Sequence, residues 1–396
     1  MTEWIECTLD KLGEIVGGAT PSTKCEDYYG GSIPWITPKD LSSFKGRYIT
    51  SGERNITEKG LASCSAQMMP KDAVLFTSRA PIGYVAIASQ SVCTNQGFKS
   101  IVVNEKADPL FVYYLLKYNK DAIEAMGSGT TFKEVSGKTM RAVKVRIPLD
   151  VSYQKRIAAV LDSLDTKIEN NERINDNLEQ QAQAIYHERF ETVSPNDLPY
   201  DWRIVTLGEV VTISNKSFNP LKEPEILLEH YSIPAFDEAR FPVFELSTSI
   251  KSNKFIIDAS CFMISKLNPT TKRVWKPYCL TEDAVCSTEF IVYKAKDQAI
   301  TDFLYSVIDS GSFSNFMCSH VTGSTGSRQR TTPAETLSYK LILPSENELA
   351  EFQSLVSPMY AQMRINAIEN DKLKRLRDSL LPKLMSGEID VSAVQL

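Results

Sequence analysis

The sequence has few of the residues and segments that usually mark catalysis, metal binding or a membrane. It holds only three histidines, His187, His230 and His320, which lie far apart along the chain. Its eight cysteines form no C-x-x-C pair, which argues against zinc ribbons and redox motifs. No apolar run is long enough to span a membrane, and the N-terminus lacks the basic and apolar regions of a signal peptide. These absences predict a cytoplasmic protein.

Two segments match nucleotide or methyl-transfer motifs only in part. Residues 136–139 read like the end of a phosphate-binding P-loop, but Phe132 stands where that motif needs glycine. Asn268 and Pro269 begin like the adenine-methyltransferase motif, yet the second proline and the aromatic residue that stacks on a flipped base are missing. No G-x-G-x-x-G is present. We therefore expect no catalytic residues, no metal site and no cofactor on this chain.

The charge balance argues against one class of DNA-binding protein. The formal net charge is −5, whereas a free-standing non-specific nucleic-acid binder is usually basic. If the protein binds DNA, local patches must make the contacts and partner subunits add cationic surface.

What the chain does contain is an internal repeat. A length of 396 residues supports two or three domains. Trp4 and Trp202 open similar segments, and residues 93–98 are echoed by residues 286–290. Cys93 and Cys286 occupy matching positions beside apolar residues, which favours buried free thiols. Two diverged copies present two similar surfaces, which suits a two-part target better than one catalytic pocket.

Each copy is predicted to be a compact α+β module. In the first, residues 73–76 and 84–87 favour strands joined by a turn at 81–83, and residues 109–126 favour a helix. In the second, residues 259–264 and 290–293 favour strands. A helix is expected over 301–318, although Gly311 weakens it.

A long helix is expected after each copy, with apolar residues at heptad spacing and asparagines at the centre. The predicted pairing residues are Ile157, Leu161, Leu164, Ile168, Asn171, Asn175 and Leu178 in the first helix, and Phe352, Val356, Met359, Met363, Asn366, Asn370 and Leu373 in the second. The pattern favours a coiled-coil seam whose asparagines fix the register, and an antiparallel pair would bring the asparagines together. The alternative is that each helix packs only on its own module. About 37 helical residues span roughly 55 Å, enough to hold two readers one to two DNA turns apart.

Polar loops in both copies carry residue types suited to DNA. The predicted contact residues are Lys39, Thr77, Ser78, Arg79, Gln96, Lys99, Thr131, Lys133 and Lys138 in the first copy, and Lys266, Asn268, Lys272, Arg273, Ser327, Arg328, Gln329 and Arg330 in the second. Hydroxyls and lysines suit phosphates, and arginine and glutamine suit guanine and adenine edges. The alternatives are a surface hairpin with a solvated arginine and a mobile charged loop. For Gln96 and Lys99 a role in the core or at a strand end is an equal alternative.

The order of these segments resembles the specificity subunit of type I restriction–modification systems over essentially the whole chain. The resemblance is carried by residues 4–15, 33–41, 77–83, 93–98, 129–137, 154–158, 323–330 and 380–389. No single segment is specific, but their duplicated order is. The second copy departs from the first at residues 265–273 and 288–290.

The resemblance implies an α+β fold with a pseudo-twofold internal repeat. Target recognition domains at 1–150 and 198–345 would be separated by two long antiparallel helices, 151–193 and 346–386, which form a coiled coil, with a tail at 387–396. Each domain would read, in the major groove, one half of a bipartite asymmetric site in double-stranded DNA.

The resemblance also implies partner chains. Two modification subunits would bind S-adenosylmethionine and methylate adenines, and restriction subunits using ATP and Mg²⁺ would join them. Three alternatives stay open: the specificity factor of a methylation-only system, a protein-only scaffold, and a methyltransferase or nuclease whose motifs have drifted.

Overall fold

The computed structural model describes residues 3–79, 81–129, 133–223, 225–322 and 329–395. The chain divides into two compact units. Unit 1 comprises Met1–Glu169 and Lys372–Leu396, and unit 2 comprises Asn170–Asp371. The two division points fall inside long helices, Val151–Tyr186 and Glu346–Ser386, so each unit contains part of both. The mixed helix and sheet content confirms the α+β prediction.

Unit 1 is built on a five-stranded sheet of order β2-β9-β6-β7-β5. Its strands are β1 Trp4–Thr8, β2 Gly13–Gly17, β3 Tyr29–Ile33, β4 Trp35–Ile36, β5 Tyr48–Ile49, β6 Val74–Ser78, β7 Ile82–Ala88, β8 Cys93–Thr94, β9 Lys99–Val103 and β10 Lys144–Pro148. Its helices are α1 Pro38–Ser42, α2 Glu58–Ala62, α3 Pro109–Tyr118, α4 Lys120–Ala125, α5 Gly137–Ala142 and the first part of α6 Val151–Tyr186. The first strand, β1, pairs antiparallel with the last, β10.

Unit 2 contains a four-stranded sheet of order β12-β20-β17-β18 and a five-stranded sheet of order β13-β16-β19-β14-β15. Its strands are β11 Arg203–Thr206, β12 Val211–Ser214, β13 Ser217–Phe218, β14 Leu227–Tyr231, β15 Val243–Leu246, β16 Lys254–Ile256, β17 Cys261–Ser265, β18 Val274–Trp275, β19 Ala284–Ser287, β20 Phe290–Ala295, β21 Val321–Thr322, β22 Arg330–Thr331 and β23 Lys340–Leu343. Its helices are the second part of α6, α7 Leu207–Val210, α8 Ile233–Ala239, α9 Thr301–Asp309, α10 Gly311–Ser319, α11 Pro333–Thr336 and the first part of α12 Glu346–Ser386. Here too the first strand, β11, pairs antiparallel with the last, β23.

The predicted strands are present, but both predicted module helices are broken. In unit 1 the break lies at Asn119, whose side chain donates to the Leu115 carbonyl over 2.8 Å and so ends α3. In unit 2 it lies at Ser310, whose extended backbone and hydroxyl cap α10 at Phe313. Capping side chains offer the backbone an alternative to continuing the helix. The turn expected at 81–83 is shorter, since β7 already begins at Ile82.

Each unit has its own core, and each core includes turns of the long helices. In unit 1, Ile157 and Leu161 of α6 pack with Leu384 and Met385 of α12. In unit 2, Tyr186 of α6 and Phe352 of α12 pack with their ring centroids 6.3 Å apart, in the same cluster as Ala182 and Val356. Within unit 2, Asn171 pairs with Asn370 and Asn175 pairs with Asn366, so α6 and α12 are antiparallel there. The coiled-coil prediction is confirmed, and the alternative that each helix packs only on its own module is wrong.

Beyond α12 the chain turns at Gly387 and packs against the start of unit 1. Gly387 has φ of 78°, and a Cβ there would lie 2.8 Å from the Trp4 ring, so glycine alone suits the position. The Ser386 carbonyl accepts a hydrogen bond from Arg146 over 3.2 Å. The Tyr153 hydroxyl donates to Asp390 over 3.0 Å. The tail is therefore part of the folded unit.

Candidate nucleic-acid interface

The first polar cluster in unit 1, here called the Glu134 cluster, comprises Glu134, Arg79 and Lys99. Arg79 follows β6 and forms an isolated antiparallel bridge with Glu134. The Arg79 guanidinium lies 3.6 Å from Glu134 Oε2, and the Lys99 ammonium lies 3.4 Å from Oε1. Arg79 and Glu134 are partly exposed, and Lys99 less so. One carboxylate thus holds two cations at the end of a buried strand.

Two of the predicted contacts in this unit are corrected by burial. Thr77 and Ser78 are completely buried. The Thr77 hydroxyl accepts from the Tyr84 amide over 2.8 Å, and the Ser78 hydroxyl donates to the Gly97 carbonyl over 3.2 Å. Every residue of β6 is buried because this strand lies between β9 and β7 and is covered on both faces. These hydroxyls satisfy the module's own backbone and do not reach phosphates.

The remaining predicted lysines and Gln96 lie at the surface of unit 1. Lys39 is exposed and pairs with Glu53 over 2.6 Å, which raises its pKa. Gln96 is exposed and its side-chain oxygen accepts from the Thr20 hydroxyl. Lys133 and Lys138 are also exposed, and Lys138 lies in α5, which Ser136 caps. The predicted contact Thr131 lies outside the described residues.

The corresponding cluster in unit 2, here called the Glu289 cluster, pairs Arg330 with Glu289. The guanidinium Nε and Nη2 each lie 3.0 Å from one carboxylate oxygen of Glu289, a forked pair that also raises the pKa of Arg330. Both side chains are partly exposed. Leu267 and Arg330 form an isolated antiparallel bridge, and the Asn268 amide donates to the Gln329 carbonyl over 2.9 Å. Lys266, Asn268, Gln329 and Arg330 therefore meet in one place; Ser327 and Arg328 lie outside the described residues.

Two other predicted contacts of unit 2 are committed to internal ion pairs. Arg273 holds Asp237 through two hydrogen bonds of 2.6 and 2.9 Å, and its side chain is only 12% exposed. Lys272 lies 2.7 Å from the Asp309 carboxylate and donates to the Asp309 carbonyl. In this structure Arg273 is held by Asp237, and Lys272 anchors its loop to α9.

Burial shifts the pKa of several groups outside these clusters. Desolvation raises the pKa of Asp309 to about 6 and that of the Cys93 thiol to about 12. Cys93 and Cys286 are both fully buried, and the cysteines are free, as predicted. Within the described ranges no group of His, Cys, Asp and Glu is arranged to hold a metal ion. No helix among them has the length and apolar character needed to cross a membrane.

Sequence reasoning missed the two carboxylates, Glu134 and Glu289. Both lie in segments that carry the repeat or the family resemblance, residues 129–137 and 286–290, but acidic side chains repel phosphates and so do not suggest contacts with DNA. The charge alternation around Glu134 and the replacement of Gln-Gly by Thr-Glu in the second copy were the available signals.

Comparison with known proteins identifies the family. Residues 1–180 match the model of the type I restriction modification DNA specificity domain. The type I restriction enzyme MjaIX specificity subunit of Methanocaldococcus jannaschii is 32% identical over 98% of this chain and 94% of its own length. The EcoR124I/EcoR124II specificity subunit of Escherichia coli is 29% identical over 40% of each chain.

The fold has a solved counterpart. The crystal structure of the type I restriction–modification S subunit from M. genitalium matches with a TM-score of 0.60 over 97% of this chain and 96% of that one, at 16% identity. The full-length match to the Methanocaldococcus relative, together with this shared fold, leads to one conclusion: the chain belongs to the specificity subunits of type I restriction–modification systems.

Proposed function

We propose that this specificity subunit reads a bipartite, asymmetric DNA site, with one half-site read by residues 1–150 and the other by residues 198–345. The observation that carries the proposal is the duplication of one module with differently charged clusters at corresponding places. Both modules pair their first and last strands, and each places a cationic cluster beside the end of a buried strand. Two related modules with different loops suit two different half-sites.

The DNA contacts we propose are the surface members of the predicted set. Arg79 and Arg330 suit guanine edges, and Gln329 suits adenine, because these side chains offer paired donors or a donor and an acceptor. Lys99, Lys133, Lys138, Lys266 and Lys39 suit phosphates. Gln96 and Asn268 complete the proposed set at their loops. Thr131, Ser327 and Arg328 stay predictions from the sequence.

We further propose that the helices 151–193 and 346–386 set the spacing of the half-sites and bind two modification subunits. The adenine methylation would take place on those subunits with S-adenosylmethionine, in the cytoplasm. Restriction subunits that use ATP and Mg²⁺ would add cleavage. The buried asparagines of the seam support a fixed register of the two helices.

Long-read sequencing of methylated adenines tests the proposal. The chain is co-expressed with its modification subunits in a host free of adenine methylation. We expect a single bipartite motif with one methylated adenine in each half and an unread spacer. Methylation by this chain alone would identify an enzyme, and an assembled complex without a motif or sequence-specific DNA protection would identify a protein-only scaffold. Either result would overturn the proposal.

A further inference from the structure

The same backbone junction occurs in both units and gives a residue-by-residue alignment of their clusters. In unit 1 the Ser78 amide donates to the Gly97 carbonyl over 2.7 Å, and the Ser78 carbonyl accepts from Val135 over 2.9 Å. In unit 2 the Lys266 amide donates to the Glu289 carbonyl over 2.9 Å, and the Lys266 carbonyl accepts from Thr331 over 3.1 Å. Three chain segments thus meet in the same pattern in each unit.

The alignment reveals a reversal of charge. The isolated bridge between Arg79 and Glu134 in unit 1 corresponds to the bridge between Leu267 and Arg330 in unit 2. Glu134 therefore occupies the position that Arg330 occupies in the other module. The counter-charge also changes place: in unit 1 it comes from Arg79 and Lys99, and in unit 2 from Glu289 on the neighbouring segment. Both modules keep a carboxylate among their cations, but at different positions.

A carboxylate at a DNA-binding surface needs a physical reason. It repels the phosphates and so lowers affinity for every sequence alike. However, a carboxylate that accepts two hydrogen bonds from a guanidinium fixes the plane of the guanidinium. The arginine side chain then loses less entropy when it binds DNA. A guanidinium of fixed direction matches the O6 and N7 atoms of one guanine and fits other bases poorly. The expected result is less affinity and more discrimination.

We propose that Glu134 and Glu289 are specificity-determining positioning residues, each of which orients the cationic side chains that read its own half-site. This inference rests on the proposed function. Glu289 sets the direction of the Arg330 fork, and Glu134 holds Arg79 and Lys99 together at the end of β6. Because the charge is reversed at the aligned position, the two modules present different donor and acceptor patterns to the DNA there.

The test uses the full chain assembled with its modification subunits. Glu134→Gln and Glu289→Gln keep the side-chain shape and remove the charge. Each variant should relax the base preference in one half-site, Glu289→Gln in the half-site that Arg330→Ala also affects. The ratio of cognate to non-cognate affinity should fall by roughly 5- to 100-fold. Non-cognate binding should become tighter, because a negative charge beside the phosphates is gone.

The controls separate this role from a merely structural one. Glu105→Gln and Glu238→Gln make the same charge change at exposed carboxylates and should leave both half-sites intact. Glu289→Asp keeps the charge and should retain more discrimination than Glu289→Gln; it also serves if the glutamine variant does not fold. Unchanged affinity ratios in both variants, or equal loss of both half-sites, would overturn the inference. A wild-type complex without a bipartite motif would instead overturn the proposed function.

Discussion

The side-chain amide of Asn171 in α6 donates a hydrogen bond to the side-chain oxygen of Asn370 in α12 over 2.9 Å. A second pair lies one helical turn away, four residues after Asn171 in α6 and four residues before Asn370 in α12: the Asn366 side-chain amide donates to the Asn175 side-chain oxygen over 2.8 Å. Asn171, Asn366 and Asn370 are buried in the seam. Because a slip of the helices would leave buried amides without partners, the two pairs select one register and the antiparallel orientation.

Replacing one asparagine of the Asn171–Asn370 pair should lower the free energy of unfolding more than replacing both. Asn171→Leu leaves the Asn370 amide buried beside an apolar side chain, and we expect a loss of about 1–3 kcal/mol in the free energy of unfolding. The double variant Asn171→Leu with Asn370→Leu should recover the part of that loss that comes from Asn370, whereas the hydrogen bond from Asn171 to Glu369 over 2.7 Å is lost in both variants. Urea unfolding measures both. Asn177→Leu changes an exposed residue of the same helix and is the control. If the double variant loses more free energy of unfolding than the two single variants together, this account is contradicted.

Lengthening both helices together should lengthen the unread spacer of the proposed DNA site. Four residues inserted after Asn171 and four after Glu369 add about 6 Å to the helix pair. We expect a spacer longer by one or two base pairs and unchanged bases in each half-site, read from the methylated adenines of the host genome. A matched insertion in the exposed loop at Asn196 should change neither. Altered base preference with an unchanged spacer would show that the helices do not measure the distance.

Removing the Asp165 carboxylate should destabilise unit 1 strongly. Asp165 is buried and accepts from the Tyr114 hydroxyl over 2.8 Å and from Arg377 over 2.7 Å, and Arg47 lies 4.0 Å away. Asp165→Ala leaves two guanidinium groups short of a partner, and such losses reach about 3–5 kcal/mol. Pairing of Arg47 with Asp162 and Glu169 reduces the effect.

The matched control for that prediction uses the same arginine. Asp378 also pairs with Arg377, but its side chain is 64% exposed. Exposed pairs contribute at most about 1 kcal/mol, so Asp378→Ala should shift the unfolding midpoint only slightly. Equal effects of the two variants would mean that burial does not set the strength of these pairs.

Asp309 should make the stability of unit 2 depend on pH. Burial raises its pKa from 3.8 to about 6, so between these values the folded protein binds more protons than the unfolded chain. Its contribution to stability is therefore largest below pH 4 and is lost as the pH rises towards 6. Asp309→Asn removes this penalty and should raise the stability at pH 8 relative to pH 5.

Urea midpoints of wild type and Asp309→Asn at the two pH values measure that difference. The Lys272 ion pair works in the opposite direction, because the charged carboxylate attracts the ammonium at 2.7 Å. Lys272→Met separates the two effects by removing the ion pair alone. If Asp309→Asn loses more stability at pH 8 than at pH 5, the ion pair outweighs desolvation.

The features that follow from local pattern were predictable. Heptad spacing was enough to place α6 against α12 and to pair their asparagines, because a helix repeats its faces every few residues. Alternating or continuous apolar runs located β6, β7, β17 and β20. The helix breaks at Asn119 and Ser310 were missed, because both depend on a side chain capping a backbone group.

The candidate site was less predictable, because it depends on partners distant in sequence. Arg273 was predicted to contact DNA, but in the structure its guanidinium donates two hydrogen bonds to Asp237, which lies 36 residues away in the sequence. Thr77 and Ser78 are the last two residues of β6, and only the sheet order shows that this strand is covered on both faces. The sequence signals at Glu134 and Glu289 do not assign a role to them, which is inferred from the cations that the fold brings to them.

The sequence by itself determined that this protein is a duplicated α+β chain with two long helices that pair through central asparagines. Those properties follow from local periodicity and from similarity between two segments, both of which can be recognised in the sequence. The tertiary structure decided which polar side chains remain at the surface and which are used internally. This difference depends on burial and on ion pairs between distant segments. An arginine or lysine that is paired with a carboxylate cannot be told from a solvent-exposed one by the sequence.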